Sequence, residues 1–249
     1  EKIAVLTSYD ASFTRVLENA GVEVLLVGDS LGMVVQGHDT TLPVTLEEII
    51  YHLSAVSRGR QRALLIADMP FMTDPSPEAA LANAGRLIKE GGAHMVKLEG
   101  GAHQVETVRT LTRHSVAVCA HLGLLPQNVH RMGGYVVQGR DEHEAQHLIR
   151  EAVALQNAGA QLLVLECVPA RLAEEITGAL EIPVIGIGAG AATDGQVLVL
   201  YDIIGISAGP RPRFAHDFLE QAESIEGAVA AYVRAVKDGT YPAAQHGFS

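Results

Sequence analysis

Asp29, Asp68, Glu99, His121 and Glu166 each stand at or just past the end of a short apolar run, and Lys97 lies two residues before Glu99. Asp29, Asp68 and Glu99 form an all-oxygen set that suits a hard divalent cation, with magnesium and several retained waters the natural candidate. The remaining coordination positions could take the keto and carboxylate oxygens of a 2-oxo acid, polarising its carbonyl. Lys97 and Glu99 face the same side of a strand because they are two apart. Glu166 follows Leu162-Leu163-Val164-Leu165, surroundings that would raise a carboxyl pKa and suit it to proton transfer.

Each residue also has a plainer role open to it. Asp29 or Asp68 alone could be a helix N-cap or an ion-pair partner. Lys97 and Glu99 could form only a salt bridge, and His121 could be a satisfied core histidine. Their recurrence on successive strands favours a shared site.

The elements that must position these groups alternate strictly. Val-, Ile- and Leu-rich runs predict strands at Ile3–Ser8, Glu23–Gly28, Ala63–Asp68, His94–Glu99, Val116–His121, Leu162–Cys167, Val184–Gly188 and Ile203–Ser207. Amphipathic stretches between them predict helices. Thr45-Leu46-Glu47-Glu48 has the capping-box pattern, Ser76-Pro77 places a cap before a first-turn proline, and Gly91 is expected to stop that second helix. Eight βα units in 249 residues favour an α/β fold of the (β/α)8 TIM-barrel type, a single domain over 1–249, above an open doubly wound sheet. In such a barrel, polar residues at the strand C-termini line the active-site mouth. The long, glycine-containing connections Ser30–Val44 and Gly123–Arg140 are candidate lids.

Two other patterns compete for notice. His143-Glu144-Ala145-Gln146-His147 matches H-E-x-x-H, yet the helix's apolar face is expected through Ala145, Ile149, Ala152 and Val153. His147 falls about 200° from Ile149, so both histidines are expected in solvent and zinc catalysis is disfavoured. Gly186-Ile187-Gly188-Ala189-Gly190 ends a late strand without the dinucleotide-binding context, and close packing or a tight loop accounts for it more simply than a phosphate site.

Bulk properties narrow the classes further. Acidic residues outnumber basic ones by 29 to 18, which gives no surface for nucleic acid and would repel an anionic membrane. No run is long enough for a bilayer span, and nothing near Glu1 resembles a signal peptide. Cys119 and Cys167, the only cysteines, are expected as buried thiols within strands. A cytoplasmic protein fits these features. The opening at Glu1, close to the apolar Ile3–Leu6, is that expected of a chain whose leader lies before it.

The segments Leu25–Met33 (with Gly28-Asp29-Ser30), Ala67-Asp68-Met69-Pro70-Phe71, Val96-Lys97-Leu98-Glu99-Gly100-Gly101, His121–Gln127 and Gly186–Gly190 resemble the ketopantoate (3-methyl-2-oxobutanoate) hydroxymethyltransferase family. Thr41–Thr45 and Asp194–Leu198 extend the likeness, which is collinear over nearly the whole chain. The resemblance implies transfer of a one-carbon unit from 5,10-methylenetetrahydrofolate to 3-methyl-2-oxobutanoate. The products would be 2-dehydropantoate and tetrahydrofolate, on the route to pantothenate and coenzyme A. It also implies that Asp29, Asp68 and Glu99 serve the magnesium site, with Glu99 acting through water. By the same likeness Ser30 and Lys97 hold substrate oxygens, Asp29 and Asp68 flank the substrate, His121 lies beside it and Glu166 accepts the proton. Homo-oligomers, commonly decamers, are typical of the family. The chain departs from the pattern at His38, usually tyrosine, at Thr73-Asp74, usually Ser-Tyr, at Thr193, usually cysteine, and at its end, Gln245-His246-Gly247-Phe248.

The rival enzyme class is a magnesium-dependent lyase or mutase of the phosphoenolpyruvate mutase and isocitrate lyase type, which handles oxo-acid enolates without folate. A catalytically silent barrel is the rival outside enzymes, disfavoured by the presence of every strand-end acid.

Overall fold

The computed structural model describes residues 1–206 and 211–249. Eight parallel strands close into a barrel in sequence order. They are β1 (Ile3–Thr7), β2 (Val24–Val27), β3 (Leu64–Asp68), β4 (Met95–Glu99), β5 (Ala117–Gly123), β6 (Leu162–Glu166), β7 (Val184–Ile187) and β8 (Gly195–Leu198). Nearly every strand residue is buried, as a parallel sheet covered by helices on one side and packed in its lumen on the other requires.

The expected caps form. Thr45 and Glu48 exchange side-chain and backbone hydrogen bonds at the start of the helix Leu46–Gly59. Ser76 caps Pro77–Arg86, which runs on as a π-turn through Gly91, and the left-handed residue that stops it is Gly92. Such caps contribute about 1 kcal/mol each.

Hydrophobicity misplaces one strand. β8 is Gly195–Leu198, whereas Ile203 ends the short helix Leu200–Ile203 and Ser207 lies outside the described residues. The true strand contains a glycine and a glutamine, so it carries little apolar signal. Gly195 is required because a Cβ there would collide with the Ile3 carbonyl oxygen across the closing seam. Gln196 is buried and donates to Gly190 O at 3.0 Å and to Thr193 Oγ1 at 2.9 Å. β8 pairs with β1 from Ile3↔Gly195 to Leu6↔Leu198. Tyr232, in the helix Ile225–Lys237, pins that seam by donating its hydroxyl to Val5 O (3.0 Å) and Gln196 O (2.9 Å).

Register then sets the site. Asp68 lies beside Lys97, Glu99 beside His121, and Gly123 beside Glu166. With a period of two, these side chains share the lumen face at the C-terminal end of the barrel.

Candidate active site

Lys97 is the hub of the mouth. Its Nζ lies 2.8 Å from Asp68 Oδ1 and 3.2 Å from His121 Nδ1, and it is only 5% exposed. Burial alone would push its pKa down, but Asp68, Glu99 and Asp29 together push it up, so it stays charged. An ammonium can only donate, so His121 Nδ1 accepts and the ring proton sits on Nε2. That nitrogen is 3.2 Å from Glu166 Oε2. The approach is not aligned for a hydrogen bond, since Nε2 has no geometrically satisfied partner. Burial, with Lys97 second, lowers the His121 pKa and keeps the ring neutral.

The carboxylates crowd the opposite side. Asp68 Oδ2 accepts from the Asp29 backbone N–H at 2.9 Å. Burial raises the Asp29 pKa well above the ordinary range, helped by repulsion from Asp68 and then Glu99. Glu99 is pushed up to about 7, chiefly by burial and in part by Asp68, against the pull of Lys97. Three buried carboxyl groups thus face one ammonium; without metal the raised pKa values let some keep their protons, and a divalent cation would let all three ionise. Asp68 Oδ1 is a further buried atom without a geometrically satisfied hydrogen bond, although Lys97 lies close to it. Among the described residues no three His, Cys, Asp or Glu side chains are already gathered into a metal cage. Magnesium does not need one, because it usually keeps several waters and binds through one or two carboxylates.

All the sequence-predicted site residues therefore gather at the mouth, Ser30 and Glu166 at its partly buried rim. Two partners were missed. Gln127 donates from Nε2 to Asp29 Oδ2 and Met69 O, both at 2.9 Å, and from its backbone N–H to Glu99 Oε2 at 3.0 Å. It ties the connection after β5 to the acids. Tyr9, two residues past β1, shares a 2.9 Å hydrogen bond with Ser30 Oγ. A search for charged strand ends overlooks both, though Tyr9 keeps the lumen parity of Val5 and Thr7. The candidate lids meet over the mouth, where the Tyr135 hydroxyl donates to Met33 Sδ at 3.4 Å.

His143 and His147 are exposed, and His147 pairs with Glu151 on its own helix, Glu142–Ala158. The buried face of that helix runs through Leu148, Ala152, Leu155 and Ala158; of the expected face only Ala152 lies on it, while Ala145, Ile149 and Val153 are only partly buried. The glycine-rich run starts as the end of β7 and turns into a tight loop from Gly188, and a Cβ on Gly190, at positive φ, would press into Ala170. Both cysteines are buried and unpaired, but Cys167 stands just past β6 with φ of 47° and is not inside the strand.

A closed (β/α)8 barrel with a buried, charge-rich mouth at the C-terminal ends of its strands has the form of a barrel enzyme. Known proteins narrow the class. Residues 1–244 match the family model described as ketopantoate hydroxymethyltransferase. The 3-methyl-2-oxobutanoate hydroxymethyltransferase of Shewanella loihica is 59% identical over 249 residues, covering all of this chain and 94% of the relative. That of Nitrosococcus oceani is 58% identical over 97% of this chain and 92% of its own. The chain belongs to the ketopantoate hydroxymethyltransferase family, and with it to the one-carbon transferases. Solved structures share the fold at low identity. Phosphoenolpyruvate phosphomutase from Streptomyces platensis subsp. rosaceus has a TM-score of 0.63 at 12% identity, covering 82% of this chain and 78% of that one. Phosphonopyruvate hydrolase, solved with oxalate and magnesium, has a TM-score of 0.60 at 12% identity over 99% and 88%.

Proposed function

We propose that this chain makes 2-dehydropantoate from 3-methyl-2-oxobutanoate, with 5,10-methylenetetrahydrofolate as carbon donor and magnesium as its metal. The observation that carries the reading is the buried set of Asp29, Asp68 and Glu99 around Lys97, in a chain of this family. Asp29 and Asp68 would hold the cation, with Glu99 reaching it through water. A cation there supplies Lewis acidity toward the keto oxygen.

The chain's own groups do the rest. The methine hydrogen beside a ketone is too weakly acidic for an ordinary carboxylate to remove without help. Lys97, itself buried, stabilises the negative charge that develops on the keto oxygen. Ser30, held by Tyr9, and Asp29 and Asp68 orient the substrate. Glu166 accepts the methine proton, and His121, beside the substrate, keeps its Nε2 within 3.2 Å of that carboxylate. The substrate carbon then bonds to the methylene carbon, both folate C–N bonds are broken, and one water supplies the hydroxyl. The methine proton and the second proton of that water end on the two nitrogens of tetrahydrofolate, so the exchange balances.

The family relation also supports a homo-oligomer, which light scattering would read. Among the described residues no helix is long and apolar enough to cross a membrane.

The test is a proton NMR time course of both substrates with magnesium, against an EDTA control. A new hydroxymethyl signal only with metal is expected. Exchange of the methine proton in deuterated water without product would move the carbon donor, and folded protein that does neither would favour the lyase or mutase reading.

A further inference from the structure

A cavity of about 560 Å³ opens beside the barrel mouth, within the usual size range for small-molecule sites. Glu99 and Gln127 belong both to its wall and to the carboxylate cluster, so a ligand seated there reaches the reacting centre. Phe71 and Met72 line it while 43% and 64% exposed, so part of an aromatic ring and a thioether face the cavity. Met72 holds a φ of 64°, a left-handed conformation that a bulky side chain adopts only when its surroundings impose it. Asp74, also in the wall, accepts from Gln104 Nε2 at 2.7 Å, and the same Nε2 lies 3.3 Å from Glu99 O. The Asp74 carboxylate is thereby fixed relative to the end of β4. A larger cavity of about 700 Å³, beside Arg140 and Phe248, touches none of the mouth acids.

The cavity therefore combines an apolar wall for a flat ring with an anchored carboxylate for the ring's edge. We infer that it is the pterin site, with Asp74 accepting from the 2-amino-4-oxopyrimidine edge and Phe71 and Met72 covering the ring face. That edge presents adjacent N–H donors, the pattern that a carboxylate receives in bidentate fashion. Ring–aromatic and ring–sulfur contacts suit the two exposed side chains. Asp74 stands where tyrosine is usual in the resembling family, so this edge contact belongs to this chain's own version of the site. The inference rests on the folate reading above.

The test separates the two. Asp74→Asn keeps the side-chain shape and withdraws one acceptor. It should raise the KM for 5,10-methylenetetrahydrofolate roughly 10- to 100-fold, the effect of losing a charge-assisted hydrogen bond. The KM for 3-methyl-2-oxobutanoate, and folate-independent exchange of its methine proton into deuterated water, should stay as in the wild type. Phe71→Ala, at an exposed position that folding tolerates, should raise the folate KM several-fold, again leaving exchange unchanged. An unchanged folate KM in both variants overturns the pterin site while the donor stands. So does a parallel loss of exchange in well-folded Asp74→Asn, since Asp74 would then serve the carboxylate cluster. A wild type that exchanges the proton but makes no product from the folate overturns the donor and this site with it.

Discussion

Two histidines in this chain lie almost equally close to a glutamate. His121 Nε2 is 3.2 Å from Glu166 and His147 Nε2 is 3.3 Å from Glu151. The first ring is 3% exposed at the end of a barrel strand; the second is 56% exposed on the outer face of Glu142–Ala158. Around His121 the charges have lost their water, so each shifts its neighbours and an absent partner costs several kcal/mol. Around His147, water and salt screen the pair to little or nothing. The compact H-E-x-x-H pattern thus lies on a solvated helix face, whereas residues dispersed from Asp29 to Glu166 are brought together by strand register and burial.

The strongest way to break the contrast is Lys97→Met. It strands three buried carboxylates, and kcat/KM should fall about 10³-fold or more. A melting curve should also show a loss of roughly 3 kcal/mol or more. Glu166→Gln comes next: kcat should fall by about 10² to 10⁴, while calorimetric titration shows magnesium binding largely intact. Normal turnover in that variant would remove Glu166 from proton transfer.

Acidity sharpens the same comparison. Glu99 holds its proton in the folded chain up to about pH 7, whereas the unfolded chain releases it in the ordinary carboxylate range. The metal-free fold is therefore at full stability below that range and loses up to about 3 kcal/mol as pH rises through 7. Melting temperatures without metal should fall across this window, and magnesium should raise them more at pH 8 than at pH 5. Gln127→Ala should cost less, roughly 5- to 30-fold in kcat/KM, by freeing the connection after β5 from Asp29. Least of all, the double variant His143→Ala and His147→Ala should stay within about 0.5 kcal/mol of wild-type stability, with the same magnesium dependence of turnover. A change in that dependence would end the contrast.

Most of this architecture is legible in the sequence because seven strands are apolar runs punctuated by clear caps. The charged site residues stand out for a related reason: a charge at a buried strand end survives only where something pairs with it. β8 escaped because Gly195 and Gln196 serve close approach and hydrogen bonding where apolar bulk is usual. Gln127 and Tyr9 escaped because a neutral side chain in a loop gives no sign of what it will touch. Asp74 stands out in the sequence only as a departure from the family pattern, because a cavity wall is assembled from separate loops and leaves no periodic trace. The buried face of Glu142–Ala158 lies to one side of the expected one because Ala145 and Ile149 satisfy the helical period nearly as well as Leu148 and Leu155.

The Tyr232 hydroxyl joins Val5 to Gln196 from a helix that comes after all eight strands. During synthesis β1 must therefore wait, its free edge open, until β8 and this helix have left the ribosome. The ring of strands cannot close progressively, since its first and last members meet only at the finish. Such a barrel folds late in translation, and a nascent chain halted before Gly195 would present two unpaired edges to chaperones.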